Sequence, residues 1–307
     1  MRLIVSMATM SCRKERLLEN LPSILEQSQD FDKLIINIDD NISVEDIVFY
    51  TELSKKDNRI FINSADSKWR SCNKLLPTLL MFPNDNIITV DDDVYYPKEC
   101  FKKLVELSEK NPGCIVSHET QPIIISDDNQ INYLNQIDIK IKQRCWSKYL
   151  SNCALFPPHV FDGTDLFDYD KMMKVTKGMH DELWFWVNST LNKVKVVSSN
   201  YIRTFSYDIL TPWKKDEFRL CDFNTVSDNH KEHMKQVNEE YGERLIEIIK
   251  NNPAEFILDE SNIAQFLHEK KYISILYGKN MKIIINGLTK GWVEVLKHSV
   301  KGDSFIY

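Results

Sequence analysis

Four apolar runs rich in β-branched residues, all within the first third of the chain, constrain its fold more than any other feature. Leu3-Ile-Val-Ser, Lys33-Leu-Ile-Ile-Asn-Ile-Asp, Arg59-Ile-Phe-Ile-Asn and Asn86-Ile-Ile-Thr-Val alternate with segments of helical periodicity. Those segments lie at about 13–27, where Leu17, Leu18, Leu21 and Leu25 recur, at 44–53 and around 73–82. Strands alternating with helices predict βαβ units and a mostly parallel sheet, an α/β fold. In such sheets ligands bind beyond the carboxyl ends of the strands. Two of the runs end there on acids, the second on Asp39 and Asp40 and the fourth on Asp91, Asp92 and Asp93.

The triple Asp is an electrostatic liability. Carboxylates about 5 Å apart repel by roughly 3 kcal/mol per pair at an effective dielectric near 20. Either a positive partner compensates them or they point into water. A second block, His180-Asp-Glu-Leu-Trp-Phe-Trp-Val-Asn-Ser-Thr-Leu-Asn, reads as a helix that is apolar nearly all round and therefore deeply buried. Asp181 and Glu182 sit in its first turn, where the helix dipole favours anions. They are either a reactive pair or a simple cap.

The bulk composition excludes several classes. A formal charge of −6, from 45 acids against 39 bases, gives no support to nucleic-acid binding. No apolar run approaches the roughly 18 residues of a membrane span. The N-terminus reads as a first strand and not as a signal peptide, which predicts a cytoplasmic protein. The seven cysteines include no C-x-x-C pair, as expected of a reduced chain without structural zinc. Near Thr211 the composition shifts, which divides the chain into a main domain, 1–210, and a helical extension with short strands, 211–307. The extension carries a long charged helix over about 229–250 behind an N-cap at Asp228, and helices over 260–270 and around Trp292. Its lysines between 279 and 301, with Trp292 and Ile283 to Ile285, permit peripheral association with the inner face of a membrane. A packed subdomain is the simpler account.

Set side by side, Ile87-Ile-Thr-Val-Asp-Asp-Asp-Val-Tyr-Tyr-Pro and His180-Asp-Glu-Leu-Trp carry a resemblance, together with Val5-Ser-Met-Ala-Thr and Asn73-Lys-Leu-Leu-Pro-Thr-Leu. They resemble the family 2-like glycosyltransferases of the GT-A fold that build bacterial surface polysaccharides, over about residues 1–205. The resemblance implies an enzyme that moves a sugar from a nucleoside-diphosphate-sugar donor, commonly UDP-linked, to a hydroxyl of a surface glycan such as capsule or lipopolysaccharide, with inversion. The acceptor would be a glycan or lipid-linked glycan, with Trp69, Arg70 and the Phe156–His159 turn as candidate borders. The resemblance also implies Mn²⁺ or Mg²⁺ on the D-x-D carboxylates, whose hard oxygens suit those ions. Asp93 would be the metal ligand, and Asp91 would share the metal or touch the ribose. Asp92 would point elsewhere and be the most replaceable of the three.

By the same resemblance one of Asp181 and Glu182 would be the catalytic base; which one stays open. Ser6, Thr9, Arg13 and Asp39 would grip the base and ribose, and Lys74 the donor phosphate, although Arg13 and Lys74 also fit solvated surface positions. His180 reads as a cap, and His230-x-x-His233 as a solvated helix face. Two other functions share the pattern. A nucleotidyltransferase also gathers carboxylates on Mg²⁺, but it usually carries a Gly-rich loop after the first strand, and Ser6 to Arg13 has no Gly. A non-catalytic sugar-nucleotide or glycan-binding subunit needs only the cleft.

Overall fold

The computed structural model describes residues 1–133, 143–149, 153–198, 205–206, 229–277, 281–299 and 305–306. The four apolar runs form β1 (Leu3–Thr9), β2 (Lys33–Asp39), β3 (Ile60–Ala65) and β4 (Asn86–Val90), joined parallel in the order β4-β1-β2-β3. The connecting helices are α1 (Lys14–Leu25), α2 (Val44–Ser54) and α3 (Leu76–Met81). β1 runs on past Ser6 to Thr9 because Met7, Ala8 and Thr9 keep register with Ile36, Asn37 and Ile38 of β2. On α1, Leu17 and Leu21 are buried, whereas Leu18 faces solvent. α2 starts on a capping box between Ser43 and Asp46, which satisfies two of the backbone donors that a helix start leaves open.

The rest of the chain extends and covers this half. It runs through β5 (Val94–Tyr95), α4 (Cys100–Lys110), β6 (Ile115–Ser117), β7 (Thr120–Ile125), β8 (Ile131–Tyr133), β9 (Gln143–Cys145), β10 (Ser147–Tyr149) and β11 (Cys153–Phe156). Then come α5 (Tyr169–Thr176), α6 (Asp181–Leu191), β12 (Val196–Ser198), β13 (Phe205–Ser206), α7 (Asn229–Asn251), β14 (Ala254–Leu258), α8 (Ile263–Tyr277), β15 (Met281–Ile285), α9 (Lys290–Ser299) and β16 (Phe305–Ile306). Among the described residues the main sheet has 11 strands in the order β16-β15-β14-β9-β12-β6-β11-β4-β1-β2-β3. Only β9 and β11 run antiparallel to their neighbours, so the sheet is mostly parallel, as the alternation predicts. Strands β10, β7 and β8 form a small antiparallel sheet of their own.

β14 pairs with β9, so β14, β15 and β16 prolong the same sheet. α7 packs across α5 and α6. The division expected at 210–211 and the cap expected at Asp228 lie outside the described residues. Helix α6 is buried along its length, from Leu183 through Leu191. Each large apolar side chain it buries contributes about 1.5–3 kcal/mol, and the Trp184 indole N–H donates to the Leu166 carbonyl at 3.0 Å, so its one polar group is not stranded. Among the described residues no helix is long and apolar enough to cross a membrane.

Candidate active site

The chain leaves β1 towards β2 and β3 on one side, while β4 lies on the other. The strand order therefore reverses between β1 and β4, and a crevice opens beyond their carboxyl ends. A cleft of about 540 Å³ occupies that place. Thr9 and Arg13 line it from the end of β1, Asp39 from the end of β2, and Asp91, Asp92 and Asp93 from the end of β4. Asp181 and Glu182 line it from the start of α6.

Two turns clamped together bring the distant acidic blocks into one cleft. Ser67–Lys74 forms a 3-10 segment before α3, and α5 ends on Lys177 and Gly178, both left-handed at φ 53° and 66°. The Ser71 N–H and hydroxyl both donate to the Gly178 carbonyl, at 3.3 and 3.0 Å. Arg70 Nη1 donates to the Lys177 carbonyl at 2.7 Å. A Cβ at position 178 would lie 3.1 Å from Arg70 Cδ, so the approach and the backbone angle both favour glycine. The clamp sets the first residue of α6, Asp181, 3.4 Å from Lys74 Nζ.

The triple Asp is divided between different partners. Asp92 is buried, accepts from the Thr9 hydroxyl at 2.6 Å and pairs with Arg13 at 2.7 Å. Asp91 pairs with Lys74 at 2.5 Å. Its backbone is fixed by its own N–H donating to Tyr96 Oη at 2.8 Å and by Asn20 Nδ2 donating to its carbonyl at 2.9 Å. Burial works against the Lys74 ammonium, but Asp181 and Asp91 outweigh it and hold the group protonated. Arg13 likewise stays charged because Asp92 and Asp93 overcome its burial. Among the described residues the ion pair of Asp93 is with Arg13, at 3.5 Å. Burial, then repulsion from Asp91 and Asp92, pushes its carboxyl up to about 7. Arg13 and Lys74 thus face four carboxylates, Asp91, Asp92, Asp93 and Asp181, and Asp93 is the one left undercompensated. Its oxygens, with those of Asp91, could hold a hard divalent cation.

The Asp93 shift predicts a pH dependence of stability. With a folded value near 7 and an unfolded value of about 3.9, the unfolded chain releases this proton first as pH rises. Stability is therefore lost between about pH 4 and pH 7 and levels off above. Asp93→Asn mimics the protonated acid, so its advantage over wild type grows across that window by at most about 1.4 kcal/mol per pH unit. Urea unfolding of both proteins without divalent cations measures this; parallel stability profiles would contradict it.

Asp181 and Glu182 differ in environment. The Asp181 side chain is 7% exposed beside Lys74, and that of Glu182 is 23% exposed. Glu182 Oε2 accepts from Lys148 Nζ at 3.0 Å, and Lys148 itself is buried on β10. His180 is buried and makes no capping bond. Its ring packs against His230 and His233, with centroids 4.6 and 5.8 Å away. Burial, reinforced by Lys148, holds His180 well below the usual histidine range, and burial lowers His233 to about 4. Both are neutral at pH 7.

Several expectations need correction. Ser6 does not reach the cleft: it is fully buried, and its hydroxyl donates to the Lys74 carbonyl and shares a bond with Thr78, both at 2.6 Å. Its role is to hold the Lys74 backbone to β1. Asp92 does not point elsewhere: it lines the cleft and shares Arg13 Nη1 with Asp93, and its burial with two strong partners argues against its being the most replaceable of the three. The His230-x-x-His233 face is not solvated at His233, which is buried against His180. Thr9, Arg13, Asp39, Lys74, Asp91, Asp93, Asp181 and Glu182 do converge on the cleft. Sequence reasoning missed Lys148, whose only signal was a basic stretch in an unperiodic region.

The fold is thus an α/β fold with a mostly parallel sheet flanked by helices, and its cleft lies at the strand-order switch. Comparison with solved structures finds the same fold in TarS residues 1–349 from S. aureus, crystallised with UDP-GlcNAc, at TM-score 0.51 and 11% identity, covering 90% of this chain and 82% of that one. Two other TarS 1–349 structures score lower: one with UDP at 0.48 and 13% identity, covering 89% and 78%, and another at 0.45 and 12%, covering 91% and 82%. Identities this low carry the fold and nothing further. No protein-family model matches the chain, and no curated protein does.

Proposed function

We propose that this chain is a glycosyltransferase of the GT-A type, moving a sugar from a nucleoside-diphosphate-sugar donor to a hydroxyl of a glycan acceptor with inversion. The observation that carries the reading is the charge imbalance in the cleft: among the described residues Asp39, Asp91, Asp92, Asp93, Asp181 and Glu182 line it against Arg13, Arg70 and Lys74, with Asp93 undercompensated. A divalent cation such as Mn²⁺ or Mg²⁺, held by Asp93 and Asp91, would offset the charge of the departing diphosphate. Asp39, at the end of β2, lines the cleft and in this reading would accept from ribose hydroxyls. Arg13 and Lys74 keep the remaining carboxylates neutralised, so that an anionic donor can enter.

Glu182 is the base in this reading. Lys148 holds Oε2, which orients the carboxylate and leaves Oε1 to take the acceptor proton as the hydroxyl oxygen attacks the anomeric carbon. Asp181, more deeply set, positions Lys74. A UDP-linked sugar is the first donor to try, because the TarS structure of like fold was crystallised with UDP-GlcNAc. The test is Mn²⁺-dependent release of nucleoside diphosphate from a panel of nucleotide sugars, which Asp93→Ala should abolish. Release by that variant at the wild-type rate would refute the cation's placement.

A further inference from the structure

Three side chains that play no part in the cleft meet beside β4. Cys100 opens α4, His118 follows β6 and Cys153 opens β11, where it pairs with Val90, the residue before Asp91. All three are buried. The two sulfurs are 3.3 Å apart. His118 Nε2–H donates to the Cys100 carbonyl at 3.0 Å, and the ring also bonds the Cys100 thiol. One ligand atom from each residue lies within 4.8 Å of the other two. Sequence spacings of this size fit no zinc motif, which is why the cysteine pattern alone predicted none.

We propose that Cys100, His118 and Cys153 form a buried structural site for a divalent cation of the zinc class, loaded as the chain folds. The donors decide the class: thiolate and imidazole suit Zn²⁺, whereas carboxylate oxygens suit Mg²⁺ and Mn²⁺. Charge supports it as well. Two thiolates and a neutral imidazole around M²⁺ sum to zero, so the complex avoids the cost of burying a net charge. Binding balances as M²⁺ plus two thiols giving the dithiolate complex and two released protons.

Tetrahedral Zn–S bonds of about 2.3 Å set two sulfurs about 3.8 Å apart, so the pair must open by only about 0.5 Å from 3.3 Å. The set supplies three of zinc's usual four ligands. The ion would tie α4 to β6 and β11 behind the Asp91–Asp93 turn.

The test uses the full chain purified from cells grown with zinc, or with cobalt in its place, and dialysed against a chelator to clear exposed carboxylates. The expected result is about one equivalent of metal per chain retained until unfolding. The cobalt form should show thiolate-to-cobalt charge-transfer absorption, which a carboxylate site cannot produce. Cys100→Ser with Cys153→Ser should lose both metal and band. Metal-free wild type, a cobalt form without that band, a disulfide between Cys100 and Cys153, or metal retained by the double variant would each overturn the proposal. Should the double variant not fold, the wild-type cobalt spectrum decides alone. None of these readouts depends on the chain being a glycosyltransferase.

Discussion

Glu182→Gln lowers the turnover number by about 10²–10⁴-fold while donor affinity stays near wild type, the range expected when a positioned general base is lost. The glutamine keeps the shape and can still accept from Lys148 Nζ, so the loss isolates proton transfer from packing. Asp181→Asn should act differently. Its side chain lies 3.4 Å from Lys74 and is nearly buried, so its removal disturbs the Lys74–Asp91 pair and the donor side of the cleft. The expected signature is a weakened donor KM alongside a smaller fall in kcat. Steady-state kinetics with varied donor and acceptor separates the two. If Glu182→Gln turned over normally and Asp181→Asn did not, the roles of the pair would be reversed.

Asp92→Ala destabilises the fold by about 3–5 kcal/mol, the usual cost of removing one partner from a buried ion pair. The residue it abandons is Arg13, whose side chain is 17% exposed and whose shortest ion pair is the 2.7 Å contact with Asp92. The Thr9 hydroxyl loses its acceptor at the same time. Asp93→Ala is the control. That carboxylate repels its neighbours and its ion pair with Arg13 is the longer one at 3.5 Å, so its loss leaves stability near wild type or raises it at neutral pH. Urea unfolding of the two variants side by side measures the contrast. Equal stabilities would mean that the adjacent carboxylates are energetically interchangeable.

That contrast also marks where the sequence stopped being informative. The periodicities of β2, β4, α6 and α7 were readable because burial imposes a repeat on neighbouring residues. The place of Asp91–Asp93 at the sheet's carboxyl edge followed from their position at a strand end, whereas the arrival of Asp181–Glu182 in the same cleft was implied only by the family resemblance. What could not be read was partner choice. Nothing local tells that Arg13 reaches Asp92 and not solvent, or that the hydroxyl of Ser6 turns inward to Thr78 and the Lys74 carbonyl. Lys148 was hidden for the same reason: β10 comes to α6 only through the small antiparallel sheet, which leaves no helical or strand repeat around Lys148. The Cys100, His118 and Cys153 set joins three elements whose adjacency is a property of the sheet order.

The cleft's proposed chemistry rests on a divalent cation bringing a nucleoside diphosphate to Asp93. The most direct test is to incubate the purified chain with a panel of nucleotide sugars, with Mn²⁺ or with chelator, and to measure released nucleoside diphosphate. The expected result is release from one donor class, UDP-linked first, that requires the cation and disappears in Asp93→Ala. Release that persists in chelator, or no release from any donor with either acceptor-free or glycan-supplemented mixtures, would contradict the account.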